Sequence, residues 1–170
     1  MNKVNSDQHG RSFNQPGFES TEVVLPGIVE TDGLLIRKRV LPKPATGQVI
    51  VKVEASGISF AERAMRRAMY YGQPKFPFVP GYDLVGIVAA VGPEVDPALV
   101  GKRVAALTKT SGWASYVLLA AEILMPIPDS IDPAEAPNLW LFEHFINLLR
   151  NGRLDTRGQH RSAILAISPT

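Results

Sequence analysis

Between residues 21 and 137, short apolar runs alternate with glycine and proline, and this punctuation constrains the fold more than any single motif. Ten of the chain's 14 glycines fall in that stretch. Glycine reaches positive φ and proline removes a backbone donor, so both favour turns and interrupt regular strands and helices. Runs this short have the length of strands, and the texture implies a mainly β fold with a few helices.

The clearest strand spans residues 48–56. Val49, Val51, Val53 and Ala55 fall on one face, while Lys52, Glu54 and Ser56 fall on the other, with Ile50 the exception. Period-2 alternation predicts one buried face and one wetter face. Residues 34–40 are the expected partner, with Pro42, Pro44 and Gly47 punctuating the connection. Residues 84–91 are almost wholly apolar, which predicts a strand buried on both sides, although periodicity alone leaves a helix open. Residues 103–108, 113–119 and 122–127 complete six strands, and a helix is expected over 60–69. Six short strands of this kind make a small barrel or sandwich.

The flanks have a different texture. Residues 1–20 are polar and read as a disordered leader, residues 21–136 as the β domain, and 137–170 as a helix plus a terminal strand. In that last segment Phe142, Phe145, Ile146 and Leu149 recur at helical spacing, with Asn138 as a cap. Residues 163–167 supply the terminal strand. A length of 170 residues suits one domain with tails. No apolar run reaches the roughly 18 residues of a membrane-spanning helix. A net charge of +2, with basic residues scattered along the chain, argues against a nucleic-acid partner. There is no cysteine, hence no disulfide, thiolate zinc site or cysteine nucleophile, and a cytoplasmic location is compatible.

Several motifs then occur in order. Val53-Glu54-Ala55-Ser56-Gly57-Ile58-Ser59-Phe60-Ala61-Glu62 is followed by Phe76-Pro77-Phe78-Val79-Pro80-Gly81-Tyr82-Asp83-Leu84-Val85-Gly86. Further along stand Val91-Gly92, Gly101-Lys102-Arg103-Val104, Gly112-Trp113-Ala114-Ser115-Tyr116 and Pro126-Ile127-Pro128-Asp129. Together they resemble the GroES-like domain of the medium-chain dehydrogenase/reductase superfamily, nearest its zinc-independent quinone oxidoreductase branch. The resemblance implies a GroES-like, partly open β-barrel and an NAD(P)H-dependent oxidoreductase acting on a small carbonyl or quinone substrate.

It also implies where the chemistry lies. Zinc-dependent relatives carry Cys at the position of Ser59 and His-Glu at Tyr82-Asp83. A hydroxyl and a phenol are poor replacements for zinc ligands, so no metal site is expected. Ser59 and Tyr70 fall where quinone-reductase relatives line their cleft, and both can hold a carbonyl oxygen as negative charge develops on it. These two are the candidate catalytic residues, with Tyr71, Tyr82 and Arg63 as candidate substrate contacts. The plain alternatives are that Ser59 caps the following helix and that Tyr70-Tyr71 pack in a turn. Arg63, Arg66 and Arg67 could meet a cofactor phosphate or simply be solvated helix charges.

NADP(H) is the cofactor the family implies, yet no Gly-x-Gly occurs among the glycines, so a dinucleotide fingerprint is absent from these 170 residues. The cofactor-binding residues are therefore unknown, and weak NADP(H) binding is expected. By the same resemblance the tail is similar to the family's return of the chain to the barrel, shortened, with an unrelated tail as the alternative. A second reading is a non-enzymatic binding or assembly module, its uncovered face recruiting a partner or forming a homodimer.

Overall fold

The computed structural model describes residues 17–128, residue 130 and the backbone of residues 163–166. The expected helix over 138–149 and most of the polar leader lie outside the described residues. Among the described residues there are eight strands. They are β1 (Glu19–Val24), β2 (Leu35–Val40), β3 (Gln48–Ile58), β4 (Asp83–Val91), β5 (Arg103–Leu107), β6 (Tyr116–Ala120), β7 (Leu124–Pro126) and β8 (Ala163–Ala166). The α-helix, α1, spans Phe60–Arg66. β1 and β2 form an antiparallel ribbon, and the remaining strands an open sheet in the order β6-β3-β4-β5-β7, with β8 also paired to β3. This is the mainly β, open architecture expected of a GroES-like domain.

β3 organises the molecule. One edge runs along β4, while the other meets β6 over Gln48–Lys52 and β8 over Ala55–Ile58. Its valines are β-branched and suit a pleated, buried surface. Val49, Val51 and Val53 join Leu84, Val88, Val104, Ala106, Val117 and Leu119 in the main core. Burying one such aliphatic side chain contributes about 1.5–3 kcal/mol, so this cluster dominates stability.

The two-faced pattern expected for β3 holds only in part. Ile50 and Ser56 are both fully buried. The cause at Ser56 is a shift of register between Val53 and Ala55, after which Ala55, Ser56 and Gly57 are all enclosed. A bulge of this sort re-aims the chain and breaks strict alternation. Ser56 tolerates burial because its Oγ donates to the carbonyl of Asp83 at 2.6 Å.

Residues 34–40, expected as the partner of β3, pair with β1 instead, and other expectations shift at their ends. β1 starts at Glu19, two residues inside the polar leader, because its polar side chains find partners across the fold. Ser20 Oγ donates to the Tyr116 carbonyl at 2.7 Å, and the buried Glu22 accepts from Arg37 and Arg39 on β2. The helix expected to reach Met69 stops at Arg66, where Ala68 takes a φ of 56°. The strand expected from Trp113 becomes regular only at Tyr116, and residues 122–127 split into a 3-10 turn, Ala121–Ile123, and β7. The terminal strand is present over Ala163–Ala166.

Candidate functional site

The far half of β3, the start of α1 and the start of β4 meet at one corner, where three glycines bring backbones into close approach. Gly81 has a φ of 105°, and a Cβ there would lie 2.4 Å from the Trp113 nitrogen. At Gly112 a Cβ would lie 2.7 Å from the Asp83 carbonyl, and at Gly57 it would press on the Asp83 carboxylate at 2.9 Å. Trp113 closes the corner, its Nε1 donating to the Gly57 carbonyl at 3.1 Å.

Ser59 is the N-cap of α1 and forms a capping box with Glu62. Its Oγ accepts from the Ala61 amide at 3.0 Å and donates to Glu62 Oε2 at 2.6 Å. That carboxylate oxygen also accepts the Ser59 amide at 2.7 Å. The second oxygen, Oε1, accepts the Tyr82 amide at 2.7 Å. Glu62 is thus a buried strut between the helix start and the β4 start. It was not among the residues singled out from the sequence, although the Ser-x-x-Glu spacing that begins at Ser59 is the signal that marks such a box.

Asp83 is a second buried carboxylate. Its Oδ1 accepts the Gly57 amide at 2.7 Å, while Oδ2 has no hydrogen-bond partner. Burial pushes its carboxyl up to about 6, the Glu62 charge adds to that, and the Gly57 amide opposes it. Desolvation disfavours the charged form, and the amide bond only partly offsets it.

Tyr70 and Tyr82 are half-buried and meet edge to face, with ring centroids 6.2 Å apart at 76°. They pack against Leu25, Met65 and Phe78. Burial is the main cause that pushes the Tyr70 phenol up to about 12, followed by its side-chain hydrogen bond to Tyr82. The fold therefore brings Ser59, Tyr70 and Tyr82 to one corner through Glu62 and the ring contact. Tyr71 and Arg63 are not joined to it: Tyr71 is 100% exposed and Arg63 lies exposed on α1. Arg66 is tied instead to Glu30 and the Val29 carbonyl, at 2.6 and 2.7 Å.

As for metals, Ser59 Oγ and one oxygen of Asp83 are already engaged, and Tyr82 offers a phenol. Among the described residues no group of three His, Cys, Asp or Glu side chains has the geometry to hold an ion. This donor set does not fit a catalytic zinc, which takes about three Cys, His or carboxylate ligands.

Residues 45–129 match the alcohol dehydrogenase GroES-like domain. The chain belongs to that family. Over 118 residues it is 33% identical to the synaptic vesicle membrane protein VAT-1 homolog-like of Mus musculus, covering 69% of this chain and 28% of that relative. Quinone oxidoreductase of Mus musculus is 34% identical over 94 residues, covering 55% of this chain and 28% of the relative. Among solved structures, the human VAT-1 homolog-like protein superposes with a TM-score of 0.71 at 29% identity, over 81% of this chain and 45% of that one. Quinone oxidoreductase from Thermus thermophilus, solved also with NADPH, gives 0.57 at 29% identity, over 78% and 41%. This GroES-like domain thus spans under a third of the length of the curated relatives it matches. It is an alcohol-dehydrogenase-type domain of the medium-chain dehydrogenase/reductase superfamily.

Proposed function

We propose that this chain is the substrate-side domain of an NAD(P)H-dependent oxidoreductase acting on quinones or enones. The observation that carries the reading is the hydroxyl-lined corner of Ser59, Tyr70 and Tyr82, held by Glu62 in a family whose relatives include quinone oxidoreductases. A bound nicotinamide supplies hydride to a carbon conjugated with a carbonyl. Negative charge then gathers on the carbonyl oxygen, and fixed hydroxyl donors beside it stabilise that charge without reorganising. Ser59 and Tyr70 are the residues assigned to that oxygen, with Tyr82 beside them, while Tyr71 and Arg63 lie outside the corner. The reaction draws on no zinc, since the donor set is unsuited to it, and takes place in the cytoplasm.

The described residues contribute no phosphate-binding glycine loop, so the chain alone is expected to bind NADP(H) weakly and to turn over negligibly. Calorimetric titration of the purified chain with NADPH tests this, and micromolar binding would overturn it. A second reading is favoured by the apolar groups around the corner. Phe60, Met69 and Tyr71 are 58%, 67% and 100% exposed. Such a surface suits a binding or assembly module, or a homodimer contact. Light scattering separates the readings, because a monodisperse monomer at high concentration counts against a partner-seeking face. No described helix is long and apolar enough to cross a membrane, and neither a membrane nor a nucleic-acid partner forms part of either reading.

A further inference from the structure

In an antiparallel ribbon each residue turns its N–H and C=O to one side, and successive residues alternate sides. Two bonds settle which way β1 faces. The Val23 amide donates to the Trp113 carbonyl, and the Thr21 carbonyl accepts the Ser115 amide, both at 2.9 Å. Ser20, Glu22 and Val24 therefore turn their backbone groups to β2, where they lie opposite Arg39, Arg37 and Leu35. It follows that Ile36, Lys38 and Val40 turn theirs away from β1. Among the described residues no strand pairs with that outer edge. The side chains of these three share one face, as every second residue of a strand does. Ile36 is 69% and Val40 62% exposed, and Lys38 between them is exposed as well. A free row of hydrogen-bonding groups thus coincides with an apolar, cationic, apolar sequence of side chains.

We propose that the outer edge of β2 docks an extended, acidic segment of another protein, which joins the ribbon as a third strand. Main-chain bonds to an exposed edge supply affinity, and alternate side chains supply selectivity. An antiparallel guest sets one residue opposite Lys38, and the residues two before and two after it opposite Ile36 and Val40. The fitting guest is therefore acidic at its centre and apolar two residues to either side. The charge of the ribbon favours the same partner. β1 and β2 hold three cations, Arg37, Lys38 and Arg39, against two carboxylates, Glu19 and Glu22. The buried Glu22 is shared by both arginines, and Lys38 is paired with Glu19 through side chains 68% and 58% exposed. An ion pair so open to solvent is weak, and leaves Lys38 able to meet a guest's carboxylate. A second copy of this chain fits worse. The two-fold pairing that sets Ile36 against the partner's Val40 also sets Lys38 against the partner's Lys38, and like charges directly opposite are destabilising. A lysine so placed is a means by which an edge strand avoids its own kind. The inference does not draw on the proposed reaction.

The probe is the peptide acetyl-Thr-Val-Thr-Glu-Thr-Val-Thr-amide, titrated to millimolar concentration into the 15N-labelled full chain at low ionic strength. Amide shifts are expected at Ile36, Lys38 and Val40. Hydrogen exchange of those amides is expected to slow, because the guest's carbonyls then accept them. The same peptide with Lys in place of Glu is expected to bind about fivefold more weakly. N-methylation of the peptide's Glu removes the donor that meets the Lys38 carbonyl and is expected to abolish binding. In Lys38→Glu the preference is expected to reverse in favour of the Lys peptide. The wild-type comparison stands even if that variant folds poorly. Equal affinity for the two peptides, binding that survives N-methylation, or no shift at millimolar peptide overturns the proposal. Sedimentation equilibrium of the peptide-free chain tests the rival occupant: a dimer that Ile36→Asp dissolves gives the edge to a second copy and likewise overturns it.

Discussion

The two halves of β3 are built on different physical terms. From Gln48 to Val53 the strand is anchored by burial: Val49, Val51 and Val53 sit in one apolar cluster, between β4 on one edge and β6 on the other, despite a register shift against β4 at Ile50/Val51. From Ala55 to Ile58, past the register shift, the strand is anchored by hydrogen bonds. There Ser56 bonds to the Asp83 carbonyl, Gly57 bonds to both Asp83 and Trp113, and Ser59 follows as a cap. Apolar packing is non-directional and tolerates volume-conserving change, whereas a buried polar network must be satisfied bond by bond. The half that specifies direction is the half that leads into the site. Hydrogen bonds fix the angles at which that corner holds its side chains.

The largest break in this comparison is expected at Gly81. An alanine there meets a left-handed backbone and a Cβ 2.4–2.6 Å from the backbone of Trp113 and Gly112, neither of which can move aside cheaply. Gly81→Ala is expected to cost on the order of 4 kcal/mol or to prevent folding, combining strain with overpacking. Gly72 also has a positive φ, of 74°, but faces open space. Gly72→Ala is therefore expected to cost only about 1 kcal/mol, from backbone strain alone. Urea denaturation of both variants checks the contrast, and equal losses would mean that the glycine corner is not the tight contact described.

The next effect separates the halves by pH. Asp83 has a folded pKa of about 6 against an ordinary 3.8. The unfolded chain therefore loses this proton first, and between about pH 4 and pH 6 the folded state holds the extra proton. Stability falls as pH rises through that window and levels off above it, by about 3 kcal/mol in total. Asp83→Asn keeps an oxygen for the Gly57 amide and removes the titration. Its stability profile is expected to lack the Asp83 slope between pH 4 and 6, and the variant is expected to exceed the wild type in stability at pH 7. A wild-type slope retained in Asp83→Asn would place the titration elsewhere.

The same contrast explains what could be read from the sequence. The apolar half of β3, together with β4 and β5, was legible because alternation or continuous burial leaves its mark on neighbouring residues, as at Val49, Val51 and Val53. β1 was partly hidden because Glu19 and Ser20 read as leader and the polar Thr21 and Glu22 gave no strand signal. Their satisfaction depends on Tyr116, 96 residues from Ser20, and on Arg37 and Arg39 across the ribbon. The candidate site divides in the same way. Ser59 and its alternative role as a cap were visible in the local pattern. That Glu62 reaches Tyr82, and that Asp83 sits beneath Gly57, depends on contacts 20 and 26 residues apart that no local period encodes. Tyr71 and Arg63 were chosen by proximity in sequence, and proximity did not carry them into the corner.

The smallest effect is expected at the residue where the two roles compete. Ser59→Ala removes the cap bond to the Ala61 amide and one of the two Ser59 bonds to Glu62, but leaves the Ser59 amide and the Tyr82 amide on that carboxylate. A lost serine cap costs about 1 kcal/mol, and a seven-residue helix packed through Ala64 and Met65 survives it. Thermal unfolding of Ser59→Ala is therefore expected to show a modest loss, well below that of Gly81→Ala. If Ser59→Ala instead leaves stability unchanged yet abolishes quinone binding, Ser59 is a ligand contact rather than a cap. The division between a packed half and a hydrogen-bonded half would then end one residue sooner than the capping box implies.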